Sequence, residues 1–362
     1  MKENLASKQA SKQASKQASK QASKQASKQA SDNTIDFLKL IFSICIVGIH
    51  THVLIKIPEE VQWYIEHLVF RLGVPFFFCV SGYYLGRKLW EGCDQKAVFS
   101  KYFNRLLPPF CVWGGIGLIQ YAVSLYLEGK GFLGIILRVI RTAIFYPKGA
   151  MWYVGACMLA AYIIRCLWGK KCRDICIWSI GILGYIFALL ANTYYFCIEG
   201  TMLGRIVDAY LKVCVSARNG IFVGIIFLWI GIMLAQWKLY DRKMLINWVW
   251  VVFIISLMTY IIEISGTYGK NVADDSALFI SHLVLVPSII VLALKYNMKS
   301  FFIVKNFRGL STCIYFTHAF FNNFIGHFIN LGVLRFVSVL CLSVSIWCIQ
   351  KKCENKYLQK II

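Results

Sequence analysis

The sequence carries little charge: only 15% of its 362 residues are Asp, Glu, Lys or Arg. A soluble domain of this size needs far more to cover its surface, so that class is excluded. Acidic residues are scarcest, 17 against 39 Lys and Arg. The resulting charge of +22 does not point to a nucleic-acid partner. The cations fall mostly in short segments between apolar runs, where they report topology. Among 14 cysteines there is no Cys-x-x-Cys; Cys172 and Cys176 are the closest pair. Most lie inside apolar runs and read as reduced, buried small hydrophobes, so no disulfide framework or metal site is expected. There is no Walker A loop, His-Glu-x-x-His, Gly-x-Ser-x-Gly or paired-carboxylate motif. That argues against an ATPase, a zincin, a serine hydrolase and an ordinary glycosidase. The amino-terminus shows no apolar core followed by a small-residue cleavage site, so no cleavable signal peptide is expected.

What the chain does have is apolar length. Hydrophobic residues make up 58% and aromatics 15%. Several runs of about twenty apolar residues predict an all-α, polytopic membrane bundle. Ten spans are expected, near 35–55, 67–86, 106–127, 150–168, 174–195, 219–237, 246–264, 278–295, 310–328 and 332–350. The piece 132–146 is short and holds Arg138 and Arg141, so it reads as an external interfacial or re-entrant helix. The loop 196–218 is similar, with Arg205, Asp208 and Lys212 among apolar residues. Ten spans put both termini on one side, and charge tests which side. With the termini cytoplasmic, inner segments hold 28 of the 39 Lys and Arg and outer segments 11. The acidic residues divide almost evenly, as the positive-inside rule expects. An eleventh span at 132–146 would invert every later segment and spoil that bias.

Three regions follow. Residues 1–32 form a basic tail built on six Ser-Lys-Gln-Ala copies at 7–30. It cannot make a core; it is a solvated cationic tail or a tether to anionic lipid. Residues 33–352 form the membrane domain, and 353–362 a short basic tail.

The first span, Ile35–Leu54, carries ionisable groups at both ends. Such groups are costly in a membrane and often mark a site. At about 100° per residue, His50 returns to the face of Lys39, about 16 Å further along. Ser43 lies on that stripe, whereas His52 points the other way and reads as interfacial. The second span opens at Arg71 and closes at Ser81-Gly-Tyr-Tyr-Leu-Gly-Arg87-Lys88. Gly82 and Ser81 permit close approach of another helix. Lys101 and Arg105 share a helical face before the third span. With Lys39 and Arg87 they suit the phosphates of a nucleotide-bearing donor. Trp152 and Tyr153 fit an aromatic belt or the wall of a sugar site. Ser311, Tyr315, His318 and Asn322 form one polar stripe on the ninth span. Each feature also has a plainer reading: boundary histidines, a snorkelling arginine, topological cations, or hydrogen bonds that glue helices together.

Taken in order, these stretches resemble the acyltransferase 3 family. The carriers are Asp36-x-x-Lys39 with His50, Arg71-x-x-Val-Pro-Phe-Phe-Phe-x-x-Ser81-Gly82, Arg105-Leu-Leu-Pro-Pro, Met151-Trp-Tyr-Val, and Ser311-x-x-x-Tyr315-x-x-His318. The resemblance covers about 33–350. It implies a multi-pass protein of a bacterial inner (plasma) membrane. Acyl-CoA, often acetyl-CoA, would be its co-substrate with no bound cofactor. The acceptor would be a hydroxyl of an envelope or exported carbohydrate. His50 and Arg71 would be catalytic. Lys39, Arg87, Lys101 and Arg105 would hold the donor, and Ser81, Trp152, Tyr153, Ser311, Tyr315 and His318 would line the acceptor cavity. Two positions depart from the family: Lys39 and Tyr102 stand where arginine is usual, and both lose a bidentate guanidinium. The competing class is a transporter or sensor domain for a small metabolite.

Overall fold

The structure is a computed structural model of the chain. It describes residues 33–353 except 149, 242, 297 and 299–303. The Ser-Lys-Gln-Ala tail and residues 354–362 lie outside the described residues. No strand occurs among those described. The helices are α1 (Asn33–Thr51), α2 (Glu59–Leu68), α3 (Gly73–Trp90), α4 (Gln95–Leu127), α5 (Phe132–Phe145), α6 (Met151–Leu167), α7 (Arg173–Leu190), α8 (Met202–Cys214), α9 (Ile225–Trp237), α10 (Lys243–Thr267), α11 (His282–Lys295), α12 (Val304–Ile325) and α13 (Val333–Cys353). Among the described residues, seven helical stretches are long and apolar enough to cross a membrane. They contain α1, α2 with α3, α4, α7, α9, α10 and α13; α6 and α11 are shorter apolar helices. Each of the ten expected segments overlaps a helix, but three of those helices, α6, α11 and α12, are too short or too polar to be among the seven.

The bundle is organised around α9. Every residue from Ile225 to Ala235 is buried. A helix apolar on all sides belongs inside, where lipid and water are both excluded. Its close partner is α3, and glycine makes the contact. A Cβ on Gly82 would lie 2.0 Å from the Leu228 carbonyl oxygen, and one on Gly231 2.0 Å from that of Cys79. Gly86, one turn on, meets the Ile232 backbone in the same way. This is the small-xxx-small logic of membrane helix packing, with two backbones touching. By contrast α4, α10 and α13 show most of their surface to the outside. Their apolar exterior suits lipid, which exposed leucines and isoleucines alone would not explain in water.

Two short helices stay amphipathic. In α5, Phe132, Leu133, Leu137 and Ile144 are exposed on one face. Arg141 ties α5 to α8 by donating from Nε to the Val213 carbonyl, 3.0 Å away. Both helices have the form expected of in-plane interfacial elements.

The end of α1 differs from the expectation. The helix stops at Thr51, short of residue 55. His52 takes φ +48°, the Val53 N–H bonds the Gly48 carbonyl and the His52 N–H bonds that of Ile49. This is the αL termination usually given to glycine. His52 therefore ends the helix and stands exposed outside it, which separates it from His50 more firmly than helical phase does.

A candidate site of two histidines beside a cavity

One end of the bundle holds a cavity of about 860 Å³. Its walls are the last turn of α1, the final turns of α4, residues Tyr146, Pro147, Lys148, Ala150 and Trp152, and the facing ends of α12 and α13. His50 opens into it, beside Trp152, Tyr146, Gln120 and Asn322. The carbonyls at the end of α1 would be orphans. Instead Asn322 Nδ2 donates to the His50 carbonyl at 3.1 Å, and the Gly332 N–H donates to that of Thr51 at 2.9 Å. Thus α12 holds His50 through its backbone, the residue ahead of α13 holds Thr51, and the His50 ring is left toward the cavity.

The polar stripe on α12 faces the bundle interior. Ser43 on α1 donates to the Ser311 carbonyl, 3.1 Å away. Tyr315 donates to the Ala150 carbonyl ahead of α6, at 2.7 Å. His318 is fully buried, and its ring centre lies 5.3 Å from that of His50. Of the residues expected to line the acceptor cavity, Trp152 is in its wall. His318 lies behind His50. Ser81, Tyr153, Ser311 and Tyr315 lie outside that lining. Ser81 bonds the buried Tyr102 hydroxyl at 2.8 Å. Tyr153 packs among Phe77, Phe78 and Tyr315, and its hydroxyl reaches the Cys157 thiol. Helical phase identifies the inward face of a helix but not the depth at which a void opens along it.

Behind Trp152 sits a charged network. Arg71 donates to both Asp275 oxygens at 2.8 Å. Arg218 reaches the same carboxylate at 2.9 Å and Asp274 at 3.5 Å. The Arg218 guanidinium lies 5.5 Å from the Tyr146 ring centre and 5.6 Å from that of Trp152. Those two rings are nearly parallel, at 13°. A cation over two ring faces fixes them as a platform at the cavity wall. Burial alone would raise the Asp275 pKa, but Arg71 and Arg218 override it and bring it down to about 2. Burial would lower that of Arg218, and Tyr146, Asp275 and Asp274 raise it instead. Val215 precedes this network with φ +69° and ψ −46°, closed by a Ser216 N–H to Cys214 carbonyl bond. A β-branched residue in this rare γ-turn is strained. The strain is held by Ser216, which donates to Asp274 at 2.5 Å.

Sequence reasoning places acceptor specificity in the outer segments 56–66, 128–149, 196–218 and 265–277 but singles out none of Tyr146, Arg218, Asp274 and Asp275 within them. The one available signal is the Asp274-Asp275 pair, in a chain with so few carboxylates. Replacing Asp275 by Ala strips Arg71 of its ion pair while Arg218 keeps Asp274. A partly buried cation left unpaired costs about 3–5 kcal/mol. A correspondingly lowered Tm checks this. Because the folded Asp275 pKa lies below the usual value, its contribution is complete above about pH 4. It is lost as pH falls through about 2.

The opposite end of the bundle gathers cations. Lys39 pairs with Asp36 at 2.8 Å and lies 4.7 Å from the Tyr84 ring centre. Arg87 lies against Tyr83 and Tyr84. Lys88 is within electrostatic reach of Lys101, Arg105 and Arg308. Lys101 and Arg105 are exposed. The four expected donor-binding cations thus lie at one end and the two histidines at the other. Tyr102 turns inward to Ser81, with Arg105 over its ring at 5.6 Å. Among the described residues no group of three or more His, Cys, Asp or Glu is arranged to hold a metal.

Residues 32–349 match the acyltransferase 3 family, described as an acyltransferase domain. The chain belongs to this family. The family assignment agrees with the ordered motifs and with a multi-pass membrane protein. Curated relatives add a different association. A serine/alanine racemase of Enterococcus gallinarum is 23% identical over 325 residues, 87% of this chain and 45% of the relative. Two amino-acid racemases of Enterococcus faecalis are each 25% identical, over 201 and 303 residues. Those matches cover 54% and 79% of this chain, and 27% and 40% of the relatives. The chain therefore spans less than half the length of each. No solved structure matches significantly.

Proposed function

We propose that this acyltransferase 3 protein moves an acyl group, in the first instance acetyl, from acyl-CoA to a hydroxyl of an envelope or exported carbohydrate. The supporting observation is the separation of an exposed imidazole at a cavity from a cluster of cations toward the far end of the same helix. Lys39 and His50 are about 16 Å apart along α1, a distance an extended pantetheine arm spans. In this reading Lys39, Arg87, Lys101 and Arg105 hold the donor phosphates at the cytoplasmic face of a bacterial plasma membrane. The thioester carbon reaches His50, and the acceptor rests on Tyr146 and Trp152.

The chemistry then balances simply. A His50 ring nitrogen takes the proton of the acceptor hydroxyl as its oxygen attacks the thioester carbon. The new C–O bond forms, the C–S bond breaks, and the thiolate of CoA recovers the proton from His50. Negative charge on the tetrahedral oxygen needs a nearby donor or cation. This reading gives that role to Arg71, which lies outside the cavity lining with its terminal nitrogens on Asp275 and acts through its field at His50.

The second reading is a transporter or sensor domain for a small metabolite, and the relatives named amino-acid racemases make an amino acid the metabolite to try. Vesicles reconstituted with the full chain separate the two. Labelled acetyl-CoA should transfer acetyl to supplied envelope carbohydrate, and labelled serine or alanine should show no counterflow. Counterflow without CoA, together with no acetyl transfer, would favour the second reading and remove the first.

A further inference from the structure

His318 has a hydrogen-bonding pattern that fixes its own proton. Its Nδ1 lies 2.7 Å from the Tyr315 carbonyl and 3.1 Å from that of Ile314. Carbonyl oxygens only accept, so Nδ1 must carry the hydrogen. In the neutral ring Nε2 is then a bare acceptor. That atom is buried and has no partner among the described residues. An unsatisfied acceptor at that depth is costly, and such atoms are rare without a reason. Apart from Tyr315 of its own helix, the described ring packed on His318 is His50, at 5.3 Å and a 31° tilt. The two rings make no direct nitrogen–nitrogen bond, and their 5.3 Å separation is one that a single water bridges.

We infer that His318 is a positioning residue that fixes the tautomer of His50: its Nε2 accepts the His50 N–H through one bridging water and leaves the other His50 nitrogen bare toward the cavity. The proposal rests on the acyl-transfer reading for its purpose, but not for its geometry. A free imidazole divides its proton between two nitrogens, and only one of them can face a substrate. A neutral acceptor behind the ring resolves that choice. It also receives, through the same water, the hydrogen bond of the imidazolium that forms when His50 takes a proton. A backbone-anchored histidine does this with no charge buried, where a carboxylate would have to be paired. The carbonyls that orient His318 belong to α12, the helix whose Asn322 holds the His50 backbone. Backbone and ring of His50 are thus set from one element.

The test is ¹⁵N NMR of the full chain, labelled at histidine and reconstituted in lipid vesicles. The six histidines give a resolvable set. In the wild type His318 should be protonated at Nδ1 alone, and His50 should show a single tautomer. His318→Phe should shift His50 to a mixture of tautomers. His318→Gln, whose amide oxygen can replace Nε2 as acceptor, should keep the single form. Unchanged His67 and His282 signals report that each variant is folded. Acetyl transfer should fall at least tenfold in His318→Phe and recover most of its rate in His318→Gln. A proton on His318 Nε2 in the wild type would overturn the proposal even if neither variant folds. So would an unchanged His50 tautomer in folded His318→Phe. The spectra need neither donor nor acceptor. Absence of acetyl transfer in the wild type would count against the enzymatic reading and leave the pairing of the two rings to stand or fall on its own signals.

Discussion

A His50→Gln variant should insert and fold as the wild type does, yet transfer acetyl groups about 10²–10⁴-fold more slowly, the usual contribution of a general base. Folding should survive because the ring faces the cavity, and because the interhelical bond at this position uses the backbone carbonyl, which any residue supplies. Glutamine keeps polarity and approximate size but cannot take a proton at neutral pH. The measurement is label transfer from acetyl-CoA in vesicles, alongside Tm and an insertion assay. Wild-type turnover in a correctly inserted His50→Gln protein would dismiss the imidazole as the base. His52→Gln serves as the internal contrast. That side chain is exposed beyond the helix end, and its loss should leave the rate within about twofold, as for a surface substitution away from the chemistry.

The second large effect is on folding. Gly82→Leu, or Gly231→Leu, should prevent the bundle from assembling. At both positions even a methyl group would occupy the space of a carbonyl oxygen on the opposite helix. Overpacking an ordinary core costs about 1–3 kcal/mol because side chains can shift. Here the obstacle is backbone, so α3 and α9 must move apart along their whole shared length. The α9 helix is also enclosed by other elements, which leaves it no free side toward which to retreat. Expression as aggregated or rapidly degraded protein, scored by size-exclusion profile, is the expected result. Gly134→Leu is the control: a Cβ there meets nothing within 4 Å, so the protein should stay monodisperse. A monodisperse Gly82→Leu protein with wild-type Tm would mean that α3 and α9 do not pack as described.

These two predictions differ in how far the sequence anticipates them. The apolar runs locate the helices because lipid-facing and core-facing turns are both apolar, and length then separates spans from loops. Gly82 was recognisable as a contact residue, although its partner on α9 lies about 150 positions away and leaves no local trace. His50 was separable from His52 by helical phase, and the backbone at His52 gives a firmer reason. The cavity was less legible. Trp152 is in its wall, but Ser81, Tyr153 and Ser311 satisfy their hydrogen bonds elsewhere. The Arg71–Asp275–Arg218 network joins three distant segments, two of them in loops without periodicity. Periodicity reports a face, and a face reports a neighbour only when the neighbour is the next turn. Loop residues therefore stay silent until the fold brings them together.

The fastening at the end of α1 has a consequence for the protein in its membrane. Helices that meet only lipid slide and tilt when the bilayer thins or thickens. The last turn of α1 is not free to do so, since Asn322 and the Gly332 N–H grip its two final carbonyls. A change in bilayer thickness must then move the ends of α1, α12 and α13 as one piece, and His50, His318 and Asn322 travel together. The depth of the pair within the bilayer can vary while the distances inside it are kept by these bonds, so the two rings are insulated from the lipid around them.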